Sequence, residues 1–326
     1  MKAEILKMLR ESGGYLSGQE LCERFQVSRT AVWKVISQLK EEGYEIEAVR
    51  NKGYHLKESP DVLSKEEIES RIDTRTMGRC VEYFPETDST NIRAKQAAGR
   101  GAAHGMLFVA DRQSAGKGRR GRSWDSPEGT EIFMSLLLRP KFAPGKAPML
   151  TILMAIAAAE AVRAKTDLDV KIKWPNDLVT GGRKICGILT EMSAEIDYID
   201  HVVIGVGVNV NRKTFPEELR EKATSLLQEG GVPVKRSELI AEIMCRFEKL
   251  YEQFEKEQSL HFVQQRYNEQ SVNCGQKVTV LEPQRNWDGL ALGINEAGEL
   301  LVENEAGEIL TVYAGEVSVR GIYGYV

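Results

Sequence analysis

The spacing of hydrophobic residues changes twice along the chain, and each change marks the start of a predicted structural unit. Residues 1–58 place apolar side chains at helical intervals and end in two short alternating stretches. Between residues 64 and 270, strand-like and helix-like stretches follow one another irregularly, whereas the period is two from residue 272 onward. The pattern predicts an α+β protein with units at 1–58, 64–270 and 271–326, and a linker at 58–63.

The first unit is predicted to contain a helix, a turn, a capped helix and a hairpin. Ser17 and Ser28 each precede an apolar helical stretch and are predicted N-caps. Two predicted strands at 44–49 and 54–57 then flank the basic segment 50–53. This order is typical of a winged helix-turn-helix, which lays its third helix in the DNA major groove and contacts phosphates with the wing.

The DNA-contacting face is predicted from the polar and basic positions of this unit. The candidates are Ser28, Arg29, Thr30, Trp33 and Lys34 in the third helix, and Arg50 and Lys52 in the wing. The charge balance of residues 1–58 does not distinguish DNA binding from protein binding, because this unit contains 10 Lys and Arg against 9 Glu. A protein-interaction module is therefore the alternative. We favour DNA because the cations lie at the start of the third helix and at the tip of the wing.

The central unit is predicted to be a mixed sheet with helices mainly on one side. The predicted strands are 81–84, 106–110, 132–138, 170–174, 177–180, 183–191 and 202–210. The predicted helices are 92–98, 149–165 and 237–257. In the third unit, short strands at 278–280, 290–292, 300–302, 309–312 and 317–319 predict a small SH3-like β-barrel of about fifty residues.

Composition limits the compartment and the partners. The net charge of −4 gives no global signal for nucleic acid, so any DNA binding must come from a local patch. The five cysteines are scattered without C-x-x-C spacing, which favours a reducing cytoplasm over disulfides or a protein-held metal. No signal peptide is visible, and the apolar run 149–159 is too short to span a bilayer. We therefore expect a cytoplasmic protein without a membrane partner.

The strongest candidate for chemistry is the stretch 113–124, QSAGKGRRGRSW. It combines three glycines with four cations and has no acid, which suits a phosphate or another oxyanion held by backbone N–H groups and side chains. We expect its glycines to permit positive φ angles and a close approach to ligand. It is not a dinucleotide fingerprint, because turn residues rather than a helix follow it, and it lacks the spacing of a P-loop.

Four further motifs are candidates for the same site. They are TDSTN at 87–91, KWPND at 173–177, Lys184 with Gly187 in GRKICGIL, and GVGVN at 205–209. The first lies at a strand-to-helix junction, where helix N-terminal N–H groups bind polar ligands. Each motif has an ordinary alternative: Ser89 or Thr90 would only cap a helix, and Lys184 would be a solvated edge charge.

In this order the five motifs resemble those of the bacterial biotin–protein ligases. The winged helix makes the chain similar to the bifunctional members that also repress biotin synthesis genes. The resemblance implies that biotin and Mg²⁺-ATP form biotinyl-5′-AMP, and that a lysine of a biotin carboxyl carrier protein then accepts the biotin. It also implies operator DNA as a partner and a homodimer that forms on adenylate binding.

The resemblance assigns roles to residues by motif. The implied catalytic residues are Lys184 and Arg119. The implied biotin-binding residues are Ser89, Thr90, Asn91, Gln113, Lys117, Gly118, Arg119, Lys184 and Gly187. The implied ATP-binding residues are Arg119, Arg122, Trp124, Asn176, Asp177, Lys184 and Asn209. Many relatives have arginine where this chain has Lys117, which keeps the charge but loses the bidentate fork. Arg320 of the barrel is a further candidate.

Two alternatives remain open from sequence. A lipoate–protein ligase has a related core. Those enzymes have an R-R-x-x-G-G-G-x-V-x-H element, which this chain does not contain, and they lack the winged helix that is predicted here. A ligand-sensing repressor with a decayed active site is the other alternative, and the intact Lys184, Arg119 and KWPND stretch count against it.

Overall fold

The computed structural model describes residues 1–282, 286–313 and 318–321, the last of these by backbone alone. The first unit has the predicted winged-helix order. Its elements are α1 (Lys2–Glu11), α2 (Gly18–Phe25), α3 (Arg29–Glu41), β1 (Glu45–Val49) and β2 (Gly53–Glu58). Ser28 caps α3 as predicted, since its Oγ accepts the Ala31 N–H at 3.2 Å. Gln26 ends α2 with φ 52°, which makes the sharp turn into α3.

The helix α4 (Lys65–Arg71) opens the central unit and carries its first contact with the winged helix. Ser64 caps it by accepting the Glu67 N–H at 3.1 Å. The Glu67 carboxylate is fully buried and accepts from Arg10 and Tyr44 of the first unit, each at 2.5 Å. It also accepts from Arg71 at 2.6 Å and Ser237 at 2.8 Å. Glu67 therefore joins the two units across a buried interface.

A seven-stranded sheet forms the body of the central unit. Its strands are β3 (Val81–Thr87), β4 (Leu107–Gln113), β5 (Ile132–Leu138), β6 (Lys171–Lys173), β7 (Asp177–Thr180), β8 (Arg183–Ala194) and β9 (Ile199–Val208). The order is β3-β4-β5-β9-β8-β7-β6, and β3 with β4 is the parallel pair. The mixed sheet and all seven predicted strands are confirmed.

Helices cover the sheet unequally, as predicted. They are α5 (Thr90–Ala98), α6 (Met149–Lys165), α7 (Leu226–Gly230), α8 (Arg236–Glu257) and α9 (His261–Gln270). The main core packs α6 and α8 against one face, while α5 covers Phe108, Leu137 and Val203 on the other. Among the described residues, the stretch Pro144–Lys165 is long and apolar enough to cross a membrane, but 72% of its apolar window is buried inside the protein.

The third unit is a five-stranded antiparallel sheet that shares the central core. Its strands are β10 (Lys277–Leu281), β11 (Asn286–Ile294), β12 (Leu300–Asn304), β13 (Ile309–Val312) and β14 (Ser318–Gly321). They pair in the order β13-β12-β11-β10-β14, which gives the strand number expected of the small barrel. The Arg320 side chain and residues 322–326 lie outside the described part of the chain. The three unit boundaries remain a prediction.

The Glu67 interface gives a stability test. Glu67→Gln leaves two partly buried arginines, Arg10 and Arg71, without their common buried carboxylate, and breaking a buried pair typically costs about 3–5 kcal/mol. We expect the free energy of unfolding in urea to fall by about that amount. Glu66→Gln is the control, because Glu66 lies in the same helical turn and differs by facing more solvent. Equal stability of the two variants would show that Glu67 does not hold the units together.

Candidate functional site

The site forms where the glycine- and arginine-rich stretch folds back onto the sheet. Gly187 of β8 and Gly207 of β9 are paired neighbours, and the Trp124 indole lies against both. A Cβ atom on Gly187 would stand 2.7 Å from the indole, and one on Gly207 would stand 2.8 Å from it. Lys184 Nζ lies 5.1 Å from the centre of the same ring. Because neither of these paired glycines has a side chain, they leave a flat slot on the sheet that accepts the indole.

The stretch itself is a closed loop held by its own backbone. The Trp124 N–H donates to Gly116 at 2.9 Å, and the Gly118 N–H donates to Arg122 at 2.7 Å. Gly121 has φ 72°, as expected of a loop glycine, and Arg120 beside it has φ 58°. For Gly116 and Gly118 the expectation of positive φ is wrong. Gly116 is required for close packing instead, because a Cβ there would meet the Trp124 carbonyl at 2.7 Å.

Two cavities meet under this loop. The smaller, of about 60 Å³, is lined by the whole implied biotin set: Ser89, Thr90, Asn91, Gln113, Lys117, Gly118, Arg119, Lys184 and Gly187. The larger, of about 260 Å³, is lined by the whole implied ATP set: Arg119, Arg122, Trp124, Asn176, Asp177, Lys184 and Asn209. The structure thus brings together every residue that the motifs assigned, in two groups.

The wall common to both cavities contains two cations, Arg119 and Lys184. Gly118, Arg119, Trp124, Asn176 and Lys184 line both cavities. Arg119 Nη1 donates to Asn176 Oδ1 at 2.9 Å, and Lys184 Nζ lies 2.6 Å from Asp177 Oδ1. Burial lowers the pKa of Arg119, while the Asp177 carboxylate acts to raise it. Two cations therefore stand at the place where the contents of the cavities would touch.

The polar end of the smaller cavity is organised by α5. Ser89 is the N-cap residue of α5, yet its side chain makes no capping bond to the described helix, so the capping alternative fails for Ser89. The Thr90 N–H and hydroxyl instead face Gln113 Oε1 at 2.8 and 3.2 Å. Asn91 differs, because its amide is engaged by Ser135 at 2.6 Å and Glu191 at 2.7 Å. Asn91 shapes the cavity wall, and Ser89 keeps its hydroxyl for other partners.

The KWPND motif places some of its residues in the core and others at the cavities. Trp174 is buried, its indole donates to Gly298 of the third unit at 3.0 Å, and its N–H donates to Asn273 at 2.8 Å. Trp174 therefore belongs to the core and not to the cavity lining. Asn176 and Asp177, after the cis Trp174–Pro175 bond, reach the cavities.

One wall of the larger cavity was missed by sequence reasoning. The segment 211–223 contributes Arg212, Phe215, Leu219, Lys222 and Ala223. It is joined to the site by backbone bonds, since the Lys184 N–H donates to the Lys222 carbonyl at 2.8 Å. The segment has little regular structure and no hydrophobic period, so its only signal was the pair Phe215-Pro216 in a charged context.

The predicted DNA face is solvent-accessible throughout. Ser28, Arg29, Thr30, Trp33, Lys34, Arg50 and Lys52 are all exposed, and Trp33 is 59% exposed on the surface of α3. Arg29, Arg50 and Lys52 line one groove between the start of α3 and the wing. A large exposed aromatic beside grouped cations suits contact with bases and phosphates.

Three family models match the chain in the order of its units. One described as HTH domain matches residues 2–55, one described as Biotin/lipoate A/B protein ligase family matches 83–209, and one described as Biotin protein ligase C terminal domain matches 274–320. Fold and site therefore define a protein ligase of the biotin and lipoate class that carries a helix-turn-helix unit.

Relatives of nearly the same length show to which family within this class the chain belongs. The chain is 38% identical over 322 residues to the bifunctional ligase/repressor BirA of Bacillus subtilis (strain 168), covering 98% of each. It is 31% identical to the bifunctional ligase/repressor BirA of Escherichia coli (strain K12), over 96% of this chain and 95% of that one. The biotin protein ligase from Aquifex aeolicus in complex with biotin and ATP matches with a TM-score of 0.66 at 29% identity, over 74% of this chain and 99% of that one. The chain belongs to the family of bifunctional biotin–protein ligases and repressors.

Glu131, beneath the loop, gives a pH test. It is fully buried, and burial raises its pKa to about 8 although Arg212 acts to lower it. The folded protein therefore keeps a proton that the unfolded chain loses, so the free energy of unfolding falls as pH rises from 4.5 to about 8. The loss approaches about 1.4 kcal/mol per pH unit within this window.

We expect Glu131→Gln to remove this contribution, so that urea denaturation series between pH 5 and 8 run flatter than for wild type. Glu128→Gln, at an exposed neighbouring position, is the control and should keep the wild-type slope. A wild-type slope in the Glu131 variant would mean that this carboxyl is already ionised in the folded protein.

Proposed function

We propose that this chain joins biotin to a lysine of a carrier protein at the expense of ATP, through biotinyl-5′-AMP, and represses transcription when the adenylate is bound. The observation that carries the proposal is the pair of cavities with a common wall of Lys184, Arg119 and Asn176. A ligase that adenylates a carboxylate needs such a junction, because the carboxylate and the α-phosphate must meet between cations.

The first step takes place across that wall. Biotin occupies the smaller cavity, with its ureido ring toward Ser89, Thr90 and Gln113. Its carboxylate oxygen attacks the α-phosphorus of ATP in the larger cavity, a phosphorus–oxygen bond forms, and pyrophosphate leaves. Lys184 and Arg119 stabilise the negative charge that gathers on the transferred phosphoryl group. Trp124 and Asn209 form the adenine side, and Arg122 binds phosphate.

The second step consumes the mixed anhydride. The neutral amine of the carrier lysine attacks the biotinyl carbonyl, the carbon–oxygen bond to phosphate breaks, and AMP leaves while the amine loses its proton. The acyl phosphate is already activated, so we assign no residue of this site as a dedicated base. The same cations that favoured adenylation stabilise the departing phosphate.

Mg²⁺ fits the larger cavity as a companion of ATP. This ion is usually held by one or two carboxylates together with substrate phosphates, and Asp177 with the Asn176 amide offers oxygen donors there. Bound in this place it would neutralise phosphate charge. Lys117 is exposed and lines the smaller cavity, so its ammonium supplies charge near the ligand rather than a fixed bidentate contact.

Repression follows from the first unit. One winged helix reads a short half-site, and operators for such proteins are palindromes read by two-fold dimers. We propose that the adenylate favours a homodimer that places two α3 helices on operator DNA, in the cytoplasm and without a membrane partner. The lipoate alternative is not favoured, because the relatives match the chain through the winged helix and the C-terminal unit as well.

The role of Lys184 is tested by removing its charge. Lys184→Ala should slow formation of biotinyl-AMP in a single turnover by about 100-fold or more, the scale typical of one preorganised donor. Lys141→Ala, at an exposed position away from both cavities, is the control. Adenylate formation at the normal rate in the Lys184 variant would remove this residue from the chemistry.

The repressor role is tested on the wild type and one surface variant. Operator affinity, measured by gel shift on the promoter of a biotin synthesis gene, should rise about 5- to 150-fold when biotin and ATP are added. Arg29→Ala should weaken that binding by about 1–3 kcal/mol and leave biotinylation unchanged. Lys40→Ala, exposed at the far end of α3, is the control. Equal operator affinity with and without the ligands would leave a ligase with no biotin switch.

A further inference from the structure

Arg212 is a buried cation that belongs to neither implied ligand set. It lies four residues after the end of β9 and is only 9% exposed. Its Nη2 donates to Asp125 Oδ2 at 2.5 Å, its Nη1 to Glu131 Oε1 at 3.2 Å, and its Nε to the Thr214 carbonyl at 2.8 Å. All three guanidinium nitrogens are therefore engaged by protein, on three separate segments.

Two of the residues that Arg212 contacts, Asp125 and Phe215, line the larger cavity. Asp125 adjoins Trp124 at the end of the loop 113–124. On the other side, the Arg212 guanidinium lies 4.4 Å from the centre of the buried Phe215 ring, which belongs to the segment 211–223. One side chain thus touches both loops at the cavity that holds Trp124 and Phe215.

The backbone beneath Arg212 is fixed independently of its side chain. The Asn211 N–H donates to the Thr130 carbonyl at 2.7 Å, and the Ser225 hydroxyl donates to the Arg212 carbonyl at 2.6 Å. The Asn211 side-chain amide adds bonds to Asp61 and to the Val234 carbonyl, each at 2.9 Å. The backbone at Arg212 is therefore fixed relative to the sheet. The Arg212 side chain can hold Asp125 and Phe215 in place from that fixed position.

We propose that Arg212 is a positioning residue for the nucleotide half of the site: by tying Asp125 to Phe215 it holds the two loops that enclose ATP. The proposal rests on the proposed function, since it names the ligand of the larger cavity. Arg212 lines the larger cavity and not the smaller one, so its influence falls on ATP and not on biotin. A lysine cannot replace it, because the three N–H groups of an ammonium share one nitrogen and cannot reach Asp125, Glu131 and Thr214 as the three guanidinium nitrogens do.

The test compares Arg212→Ala, Arg212→Lys, Asp125→Asn and the double variant Asp125→Asn with Arg212→Ala in carrier biotinylation. We expect the KM for ATP to rise about 10-fold in each single variant, with little change in the KM for biotin. The double variant should be no worse than Arg212→Ala alone, because both changes break one connection. Lys213→Ala, at the exposed neighbouring position, is the control and should behave as wild type.

Asp125→Asn separates positioning from direct contact with ATP. If Arg212 acted by touching phosphate, removing the Asp125 charge would leave the KM for ATP unchanged or lower it, and that result overturns the proposal. Equal rises in both KM values would also overturn it. If Arg212→Ala does not fold, Asp125→Asn carries the test, since Asp125 is half exposed. No ATP-dependent transfer by the wild type would instead defeat the proposed function.

Discussion

The contact of Trp124 with Gly187 and Gly207 is the constraint on which the site depends. Neighbouring strands are about 4.8 Å apart, so a flat slot of indole size opens only where both neighbours lack side chains. The indole in that slot holds the end of the basic loop against the sheet. Trp124 lines both cavities together with Arg119 and Lys184. A methyl group at either glycine would clash with the indole and displace it from the sheet.

Two buried carboxyl groups, Glu67 and Glu131, connect separate parts of the molecule. Glu67 ties the winged helix to the central unit through Arg10 and Tyr44, and Arg10 and Arg71 hold its pKa below the usual value although burial acts to raise it. Beneath the loop, the Glu131 side chain accepts a hydrogen bond from Arg212. The Glu131 backbone carbonyl accepts a second hydrogen bond, from Arg236, at 3.3 Å. Arg236 in turn binds Asp61 of the linker at 3.1 Å. Contacts of Arg212 and Arg236 with Glu131 therefore connect the ligand loop to the linker that precedes the central unit.

Much of the fold was predictable because the relevant signals are local. The apolar spacing gave α6 with its observed bounds, and Ser28 marked the start of α3. The motif order placed every implied ligand residue at one of two adjoining cavities. The short helices α7 and α9 were missed, since five or ten residues with few apolar positions give no clear period.

What the sequence could not supply depends on long-range contacts. The wall formed by 211–223 is held by bonds to Lys184 and Asp125, which no local pattern records. Trp174 of KWPND is buried against the third unit through a bond to Gly298, a contact between residues 124 positions apart. Gly187 and Gly207 occur in separate motifs, and only the pairing of β8 with β9 brings them together beneath the indole.

The central claim is that two adjoining cavities bind biotin and ATP together and join them at a cationic wall. The most direct measurement is exchange of labelled pyrophosphate into ATP by the full chain without any acceptor protein. Exchange that requires biotin and is not supported by lipoate is the predicted result. Absence of exchange with biotin present, or equal exchange with lipoate, would contradict the account.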